Sequence, residues 1–462
     1  MSLYNYTIDY EILKTFDREL LFKYNIMPLY YGELFLVVAT SNSLASEKEI
    51  SKIFQYPVKL LYVPHTELQF EWRYFDIKNT LFMLLKKLDN QLKKQEDSKE
   101  ISIFIEKLLD FAIKNKASDI HIEALNKSVI IRLRIDGVLQ QFFRYKIEVF
   151  SIISSYVKYL ANLDIAQKRI PLNSRFSKYI NEKIYDIRVS TLPTIYGESI
   201  VLRILNNHDT QKTLEDIGFS NNTLEVLKNI LGLKQGLFLV TGPTGSGKTT
   251  TLYSMIAKVY SLEKKIITIE DPVEYKIEGV MQVNINEEID LNYQMVLKNI
   301  LRQDPDILLI GEIRDVESLK IAIQASLTGH LVLATLHTNN AVESIYRLLD
   351  LDAESYLVAA TLKGILSQRL VRTLCVECKK EVNQVYQKVG CKHCNYTGYS
   401  GRKIISEILE IDEVLKGLIS KEEHIDTLEN YLKDINFISL EENCKTLIKK
   451  GVTTYEEYLN KI

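Results

Sequence analysis

The most definite chemistry in the sequence lies in Gly242-Pro-Thr-Gly-Ser-Gly-Lys-Thr249, which matches the phosphate-loop spacing G-x-x-x-x-G-K-[ST]. Glycines at these intervals let successive backbone N–H groups converge on phosphates, and a following helix adds the partial positive charge of its N-terminus. ATP is the expected ligand. Lys248 is assigned to its β- and γ-phosphates and Thr249 to Mg²⁺, while Gly242, Pro243, Thr244, Gly245, Ser246, Gly247 and the next residue, Thr250, complete the binding set. An apolar run, Ile307-Leu-Leu-Ile-Gly-Glu312, ends in an acid. Beside a phosphate loop that acid, Glu312, is expected to orient or deprotonate the attacking water. The aspartate usual just before it is replaced by Gly311, so one metal contact is taken to be water-mediated.

Two further clusters are expected at strand ends, where the loops of a doubly wound sheet line the ligand crevice. Ile269-Glu-Asp-Pro-Val-Glu274 offers three carboxylates, with Glu270 as a candidate to position water or metal. Thr328-Gly-His-Leu-Val-Leu-Ala-Thr-Leu-His-Thr338 carries two histidines, with His337 as a candidate γ-phosphate sensor. A solvated acidic turn and hydrogen-bonded structural histidines stand as the alternatives. Cys375, Cys378, Cys391 and Cys394 have the spacing C-x2-C-x12-C-x2-C, a tight form of the tetracysteine zinc pattern. Four thiolates close a tetrahedral Zn²⁺ site and leave no open position, so the metal is expected to be structural. His393 either replaces one thiolate or faces solvent; Cys444 stands alone.

These residues need elements to hold them. Apolar runs at Gly236–Val240, Lys265–Ile269, Ile307–Ile310 and Leu331–Leu336 are separated by helix-length segments, the pattern of a parallel sheet covered on both faces. Upstream, helical spacing through Ile105, Leu108, Leu109, Ala112 and Ile113 gives way to the alternation Ser128-Val-Ile-Ile-Arg-Leu-Arg-Ile135, with further strands expected at Lys183–Ser190 and Ser199–Leu205. The opening stretch to about Phe75 mixes helices with short strands, such as Glu33–Ala39 and Val58–Val63. A charged segment over Lys86–Lys99 then reads as a helix entering a linker.

At 462 residues, with 46% hydrophobic and 26% charged residues, the chain is long enough for about three folded domains. The net charge of -2 supplies no field for nucleic acid, so no direct nucleic-acid partner is expected. No signal peptide or membrane-length apolar run is seen; a cytoplasmic location follows as the expectation, with membrane association only through partners.

Jointly the motifs resemble the assembly ATPases of type II secretion and type IV pilus systems. The likeness covers about residues 100–410 and rests on Ala117-Ser-Asp-Ile-His-Ile-Glu123, Arg134-Ile-Asp-Gly-Val138, Arg188-Val-Ser-Thr-Leu-Pro-Thr194, the phosphate loop, Ile269–Glu274, Gly311-Glu-Ile-Arg-Asp315 and Thr335-Leu-His-Thr338. Departures include Leu172-Asn-Ser-Arg175, Ser199 and Lys298 at positions where the family commonly has other residues. The resemblance implies a homo-hexamer that hydrolyses ATP to power pilin or pseudopilin assembly, peripheral at the inner membrane through a platform protein and associated assembly proteins. It places Glu270, Asp271 and Glu274 in an aspartate box and His330 and His337 in a histidine box. It also makes Arg188 and Arg203 nucleotide-facing arginines of the preceding domain, with carboxylate pairing inside that domain as their alternative role. The tetracysteine insert matches assembly rather than retraction members.

The expected fold class is α/β: a RecA-like P-loop core over 208–372, preceded by an adaptor and linker (1–97) and an α+β, PAS-like domain (98–207). A tetracysteine zinc segment (373–402) and a C-terminal helical region (403–462) follow. A zinc-containing nucleic-acid translocase and a non-hydrolysing, nucleotide-gated scaffold are the rival readings.

Overall fold

In strands such as Leu172–Ile180 and Lys183–Thr194 more and less exposed residues alternate, and such strands need cover on one face only. The computed structural model describes residues 2–94, 99–205 and 212–461. Two units emerge: Met1–Asn207 with Cys375–Lys379 and Lys388–Ser400, and His208–Leu374 with Lys380–Gln387 and Gly401–Ile462. The boundaries expected near residues 97 and 207 fall at stretches outside the described residues.

The first unit holds two sheets. A small one is formed by β1 (Ile26–Tyr31), β2 (Leu36–Thr40) and β3 (Val58–Tyr62), antiparallel between β1 and β2 and parallel between β2 and β3. A larger antiparallel sheet contains β4 (Ala117–Ala124), β5 (Ser128–Ile135), β6 (Val138–Lys146), β7 (Leu172–Ile180), β8 (Lys183–Thr194) and β9 (Gly197–Leu205) in the order β6-β5-β4-β9-β8-β7. Its apolar face, including Ile120, Ile122, Ile131 and Leu202, joins one core with Phe104, Leu108 and Leu109 of the helix Glu100–Lys114. Its polar side chains form a cross-strand row: Arg134 pairs in register with Asp119, Asp119 with Arg203, Arg203 with Arg188, and Arg188 with Arg175.

Within the same unit Lys78 is fully buried. Its Nζ lies 2.6 Å from Glu71 Oε1, and the Tyr10 hydroxyl donates to the other Glu71 oxygen at 3.1 Å. Burial pushes the Lys78 pKa down, opposed by the Glu71 carboxylate.

In the second unit seven strands assemble in the order β12-β11-β13-β14-β10-β15-β18: β10 (Gly236–Thr241), β11 (Ile266–Glu270), β12 (Met281–Asn284), β13 (Ile307–Ile310), β14 (Leu331–Leu336), β15 (Leu362–Leu374) and β18 (Tyr399–Glu410). All the pairings from β12 across to β15 are parallel. Side chains alternate between two cores. Phe238, Val240, Leu309 and Leu333 pack with Leu252, Met255 and Ile256 of the helix Lys248–Val259; Leu237, Leu239, Leu308 and Val332 pack with Leu319, Ala322, Ile345 and Leu348 on the opposite face. This double cover explains why the strands read as unbroken apolar runs.

The region from residue 403 does not begin as a helix. Tyr399–Glu410 is the last strand of this sheet, and the Ile411 N–H donates to the Lys363 carbonyl at 3.1 Å, so β18 runs back along β15. The pairing supplies partners for backbone groups that a helix would have left bare on β15. Helices Glu413–Ser420, Ile425–Asp434, Leu440–Lys449 and Tyr455–Lys461 then complete the chain. Between the cysteine pairs lies a small hairpin, β16 (Lys380–Val382) and β17 (Val385–Gln387), whose two turn residues, Asn383 and Gln384, have φ of 52° and 62°, as a type I′ turn requires. No helix among the described residues is long and apolar enough to cross a membrane.

Removing one member of a buried ion pair strands the other. Glu71→Gln is therefore expected to destabilise the first unit by about 3–5 kcal/mol, and adding Lys78→Met should recover most of that loss; denaturant unfolding of the two variants and the parent measures both.

Candidate active site and metal centre

The strand β10 delivers the chain to the phosphate loop at Gly242, where a Cβ atom would sit 2.5 Å from the Gln368 carbonyl oxygen. Only glycine fits so close an approach. Gly247, with φ of 95°, ends the loop and the helix Lys248–Val259 begins at once. Lys248 folds back over the loop, donating to the carbonyls of Gly242 at 2.6 Å and Pro243 at 3.2 Å. Burial pushes its pKa down to about 8, opposed by Glu312 and reinforced by Arg369. Thr249 is exposed in the first helical turn, where a metal can reach its hydroxyl. The Ser246 hydroxyl is buried without a hydrogen-bond partner, an atom that an incoming phosphate oxygen or water can satisfy. These features fit a bound nucleoside triphosphate and its Mg²⁺.

The floor beneath the loop comes from β15. Gln368 is buried; its Nε2 donates to the Ser246 carbonyl at 2.9 Å and its Oε1 accepts from Thr251 Oγ1 at 2.9 Å. Next to it the buried Arg369 donates to the Gln368 carbonyl at 3.0 Å and to the Asn339 carbonyl at 2.7 Å. Neither Gln368 nor Arg369 was expected from the sequence, yet the signal exists: Ser367-Gln-Arg369 interrupts an otherwise apolar run through Val371.

Glu312, just past the end of β13, meets two partners. Its Oε2 accepts from Arg314 Nε at 2.6 Å and its Oε1 lies 3.3 Å from His337 Nε2. The His337 pKa is lowered by burial, by Lys248 and by Arg314, against the pull of Glu312. Lys248, Glu312 and His337 therefore stand together. Gly311 has no room for a side chain: an added Cβ would lie 2.9 Å from the Ile269 carbonyl oxygen and 3.0 Å from the Tyr293 hydroxyl. An aspartate there is excluded by packing.

Glu270 ends β11 and is buried, neither a solvated turn residue nor an open ligand. Thr268 Oγ1 donates to it at 2.6 Å, Gln282 Nε2 donates at 3.3 Å, and the Tyr253 hydroxyl makes a short bond to its other oxygen. Burial and the Glu270 charge push the Tyr253 pKa well up. Asp271 lies further out, 3.7 Å from Arg314 Nη1.

His330 departs from the expected crevice. It precedes β14 while His337 follows it, and a strand of that length separates them by roughly 20 Å. Its ring nitrogen Nδ1 is bound to the Ala325 carbonyl oxygen at 2.9 Å, the structural role that stood as its alternative. Arg188 and Arg203 belong to the other unit. Arg203 Nε donates to Asp119 Oδ1 at 3.0 Å with 58% of its side chain exposed, which realises the carboxylate pairing, and Arg134 approaches the same carboxylate at 3.6 Å.

The four paired cysteines converge in the first unit. Their sulfurs all lie within 4.8 Å of one another, with Cys375–Cys391 and Cys378–Cys394 at 3.8 Å and Cys391–Cys394 at 3.9 Å. A tetrahedron with Zn–S bonds of about 2.3 Å has edges of about 3.8 Å. Backbone N–H groups already point at the sulfurs: Gly390 to Cys378 at 3.3 Å, and Cys391 and Gly398 to Cys394, each at 3.2 Å. Such donors stabilise thiolates. His393 is exposed and lies outside the cluster, while Cys444 is buried against Val371, Ile405 and Leu440.

A family model described as "Type II/IV secretion system protein" matches residues 94–460. The chain belongs to this secretion family. It is 43% identical over 377 residues to "Type II secretion system protein E" of Dickeya dadantii, covering 78% of this chain and 76% of that protein. It is 40% identical over 388 residues to "Type II secretion system ATPase E" of Vibrio cholerae, covering 80% and 77%. Among solved structures, the pilus retraction motor PilT with bound ADP is 27% identical with a TM-score of 0.56, covering 77% of this chain and 96% of its own. The Legionella pneumophila ATPase DotB shares the fold at 21% identity and a TM-score of 0.61, covering 78% and 95%. Within the secretion family this chain is a P-loop ATP hydrolase with a RecA-like core.

Lys248 makes a prediction about protons. With a pKa of about 8 it has released most of its proton at pH 8.5, and an arriving phosphate raises the pKa again, so binding must take the proton back. Calorimetry of ADP binding at pH 8.5 in buffers of different ionisation enthalpy should show uptake of roughly 0.7 proton. Lys248→Arg, charged throughout, should show none.

Proposed function

We propose that this protein is a ring-forming cytoplasmic motor that hydrolyses ATP to ADP to drive pilin or pseudopilin assembly in a type II secretion or type IV pilus machine. The observation that carries the reading is the grouping of Lys248, Glu312 and His337 at the carboxyl edge of a parallel sheet, in a chain of this family. In this reading Gly242–Thr250 cradle the triphosphate, and Lys248 neutralises charge on the β- and γ-phosphates. Thr249 would hold Mg²⁺, which supplies a Lewis acid to the phosphate oxygens. Glu312 takes a proton from the attacking water, and His337 reports the γ-phosphate.

Glu270, held in place by Tyr253, Thr268 and Gln282, helps to position water or metal at the site. Arg188 and Arg203 face the phosphates when the preceding domain closes. A homo-hexamer is the working assembly, docked through partners to an inner-membrane platform protein. The relatives named for type II secretion favour that machine, and the cysteine cluster favours assembly over retraction.

Turnover separates this reading from a nucleotide-gated scaffold. Lys248→Ala should abolish it, whereas Glu312→Gln should keep ATP binding and slow hydrolysis by about 10²–10⁴. A Glu312→Gln protein with parental kcat but weakened ATP binding would instead make Glu312 a metal-holding residue. Stimulation by single-stranded DNA with steep salt dependence would favour a translocase. Deleting the gene and scoring secretion, piliation and transformation identifies the machine.

The cysteine cluster is read as a structural Zn²⁺ site bound by Cys375, Cys378, Cys391 and Cys394. One zinc per chain is expected by metal analysis of protein purified without chelators. Cys378→Ser should lose the metal and admit protease between residues 373 and 402 before the ATPase core melts, because binding and local folding are linked.

A further inference from the structure

The position of Glu312 raises a question the phosphate loop leaves open: what aims its carboxylate. The residue lies beyond the last hydrogen-bonded residue of β13, and 23% of its side chain is exposed, so the strand alone does not fix its rotamer. A hydrogen-bond donor does. Arg314, two residues on, bonds Oε2 through Nε at 2.6 Å, while the His337 ring nitrogen Nε2 stands 3.3 Å from Oε1. Arg314 is itself steadied from two directions. Its Nη1 is 3.7 Å from Asp271 Oδ2, and its guanidinium carbon lies 6.0 Å from the centroid of the Tyr293 ring, within cation–π range.

We infer that Arg314 is the positioning residue of the hydrolytic step, holding Glu312 between itself and His337 so that the remaining lone pairs of the carboxylate face the attacking water. A carboxylate has about four acceptor sites, so the Arg314 bond orients it without exhausting it. The planar guanidinium suits the task, since one face rests near Tyr293 while separate N–H groups reach Glu312 and Asp271. During hydrolysis the water oxygen bonds to the γ-phosphorus, its proton passes to Glu312, and the bond to the bridging oxygen of ADP breaks. Arg314 touches none of the reacting atoms. It sets only where the base stands.

This inference rests on Glu312 being the base, so the experiment is a double-mutant cycle on the full-length protein. Misplacing a base by about 1 Å costs on the order of 10²-fold. Arg314→Ala should therefore lower kcat about ten- to hundred-fold while KM for MgATP and the affinity for ADP stay within about two-fold. Arg314→Lys should recover part of the loss through its single charged donor. In a Glu312→Gln background Arg314→Ala should cost nothing further, because both changes disable the same step.

More than half of the Arg314 side chain is exposed, and equal melting temperatures will confirm that the variants fold. If Glu312→Gln lowers kcat but Arg314→Ala leaves it unchanged or raises it, the positioning role is overturned and the base stands. Fully additive losses in the cycle also overturn it. If Glu312→Gln leaves kcat intact, the base assignment falls first, and the positioning role falls with it.

Discussion

A parallel strand has a direction, and β10, β11, β13 and β14 share one. Their carboxyl ends must then lie along a single edge, however far apart in sequence they are. That constraint brings the phosphate loop, Glu270, Glu312 and His337 together. The amino end is equally determined, which is why His330 lies on the wrong side of the same strand that delivers His337. The apolar cores on both faces enforce the arrangement, because slipping any strand by one residue would exchange its two buried faces.

A crevice built this way has a polar floor inside an apolar sheet, and each group on that floor needs a partner. Gln368 and Arg369 meet the need by binding backbone carbonyls of the phosphate loop and of the segment after His337. Behind them the buried Glu407 accepts the Ala341 N–H at 2.6 Å and the Leu440 N–H at 2.9 Å. These are the first residues of two helices, whose N-termini attract negative charge. Burial raises the Glu407 pKa, and those two N–H groups and Arg369 oppose the rise. One carboxylate thus fastens the helix after the nucleotide site to a helix of the C-terminal tail.

The phosphate loop was legible because its glycines, lysine and threonine must be contiguous, and the metal cluster because cysteine pairs have few other uses. The core strands were legible because burial on both faces leaves few polar residues to blur them. What stayed hidden depends on contacts between distant segments. Nothing near Glu270 announces that Tyr253 and Gln282 bind it, and nothing in Arg402–Glu410 says which edge awaits a strand. The two histidines share one box in sequence, but a strand's length and direction decide which of them meets the nucleotide. Gly311 reads as a missing acid until the Ile269 carbonyl is seen to fill the place where a side chain would start.

The last two neighbours in the core sheet, β15 and β18, are separated in the chain by the whole cysteine segment. That segment is topologically an excursion that leaves the sheet and returns to the adjacent lane. Doubling the length of such an excursion adds only about 0.6 kcal/mol of closure entropy, so insertions and deletions there can accumulate without disturbing the ATPase. Truncation has no such latitude. A ribosome that stalls before Tyr399 has made every residue of the phosphate site but leaves the outer backbone of β15 unpaired, an open template for another chain to dock against.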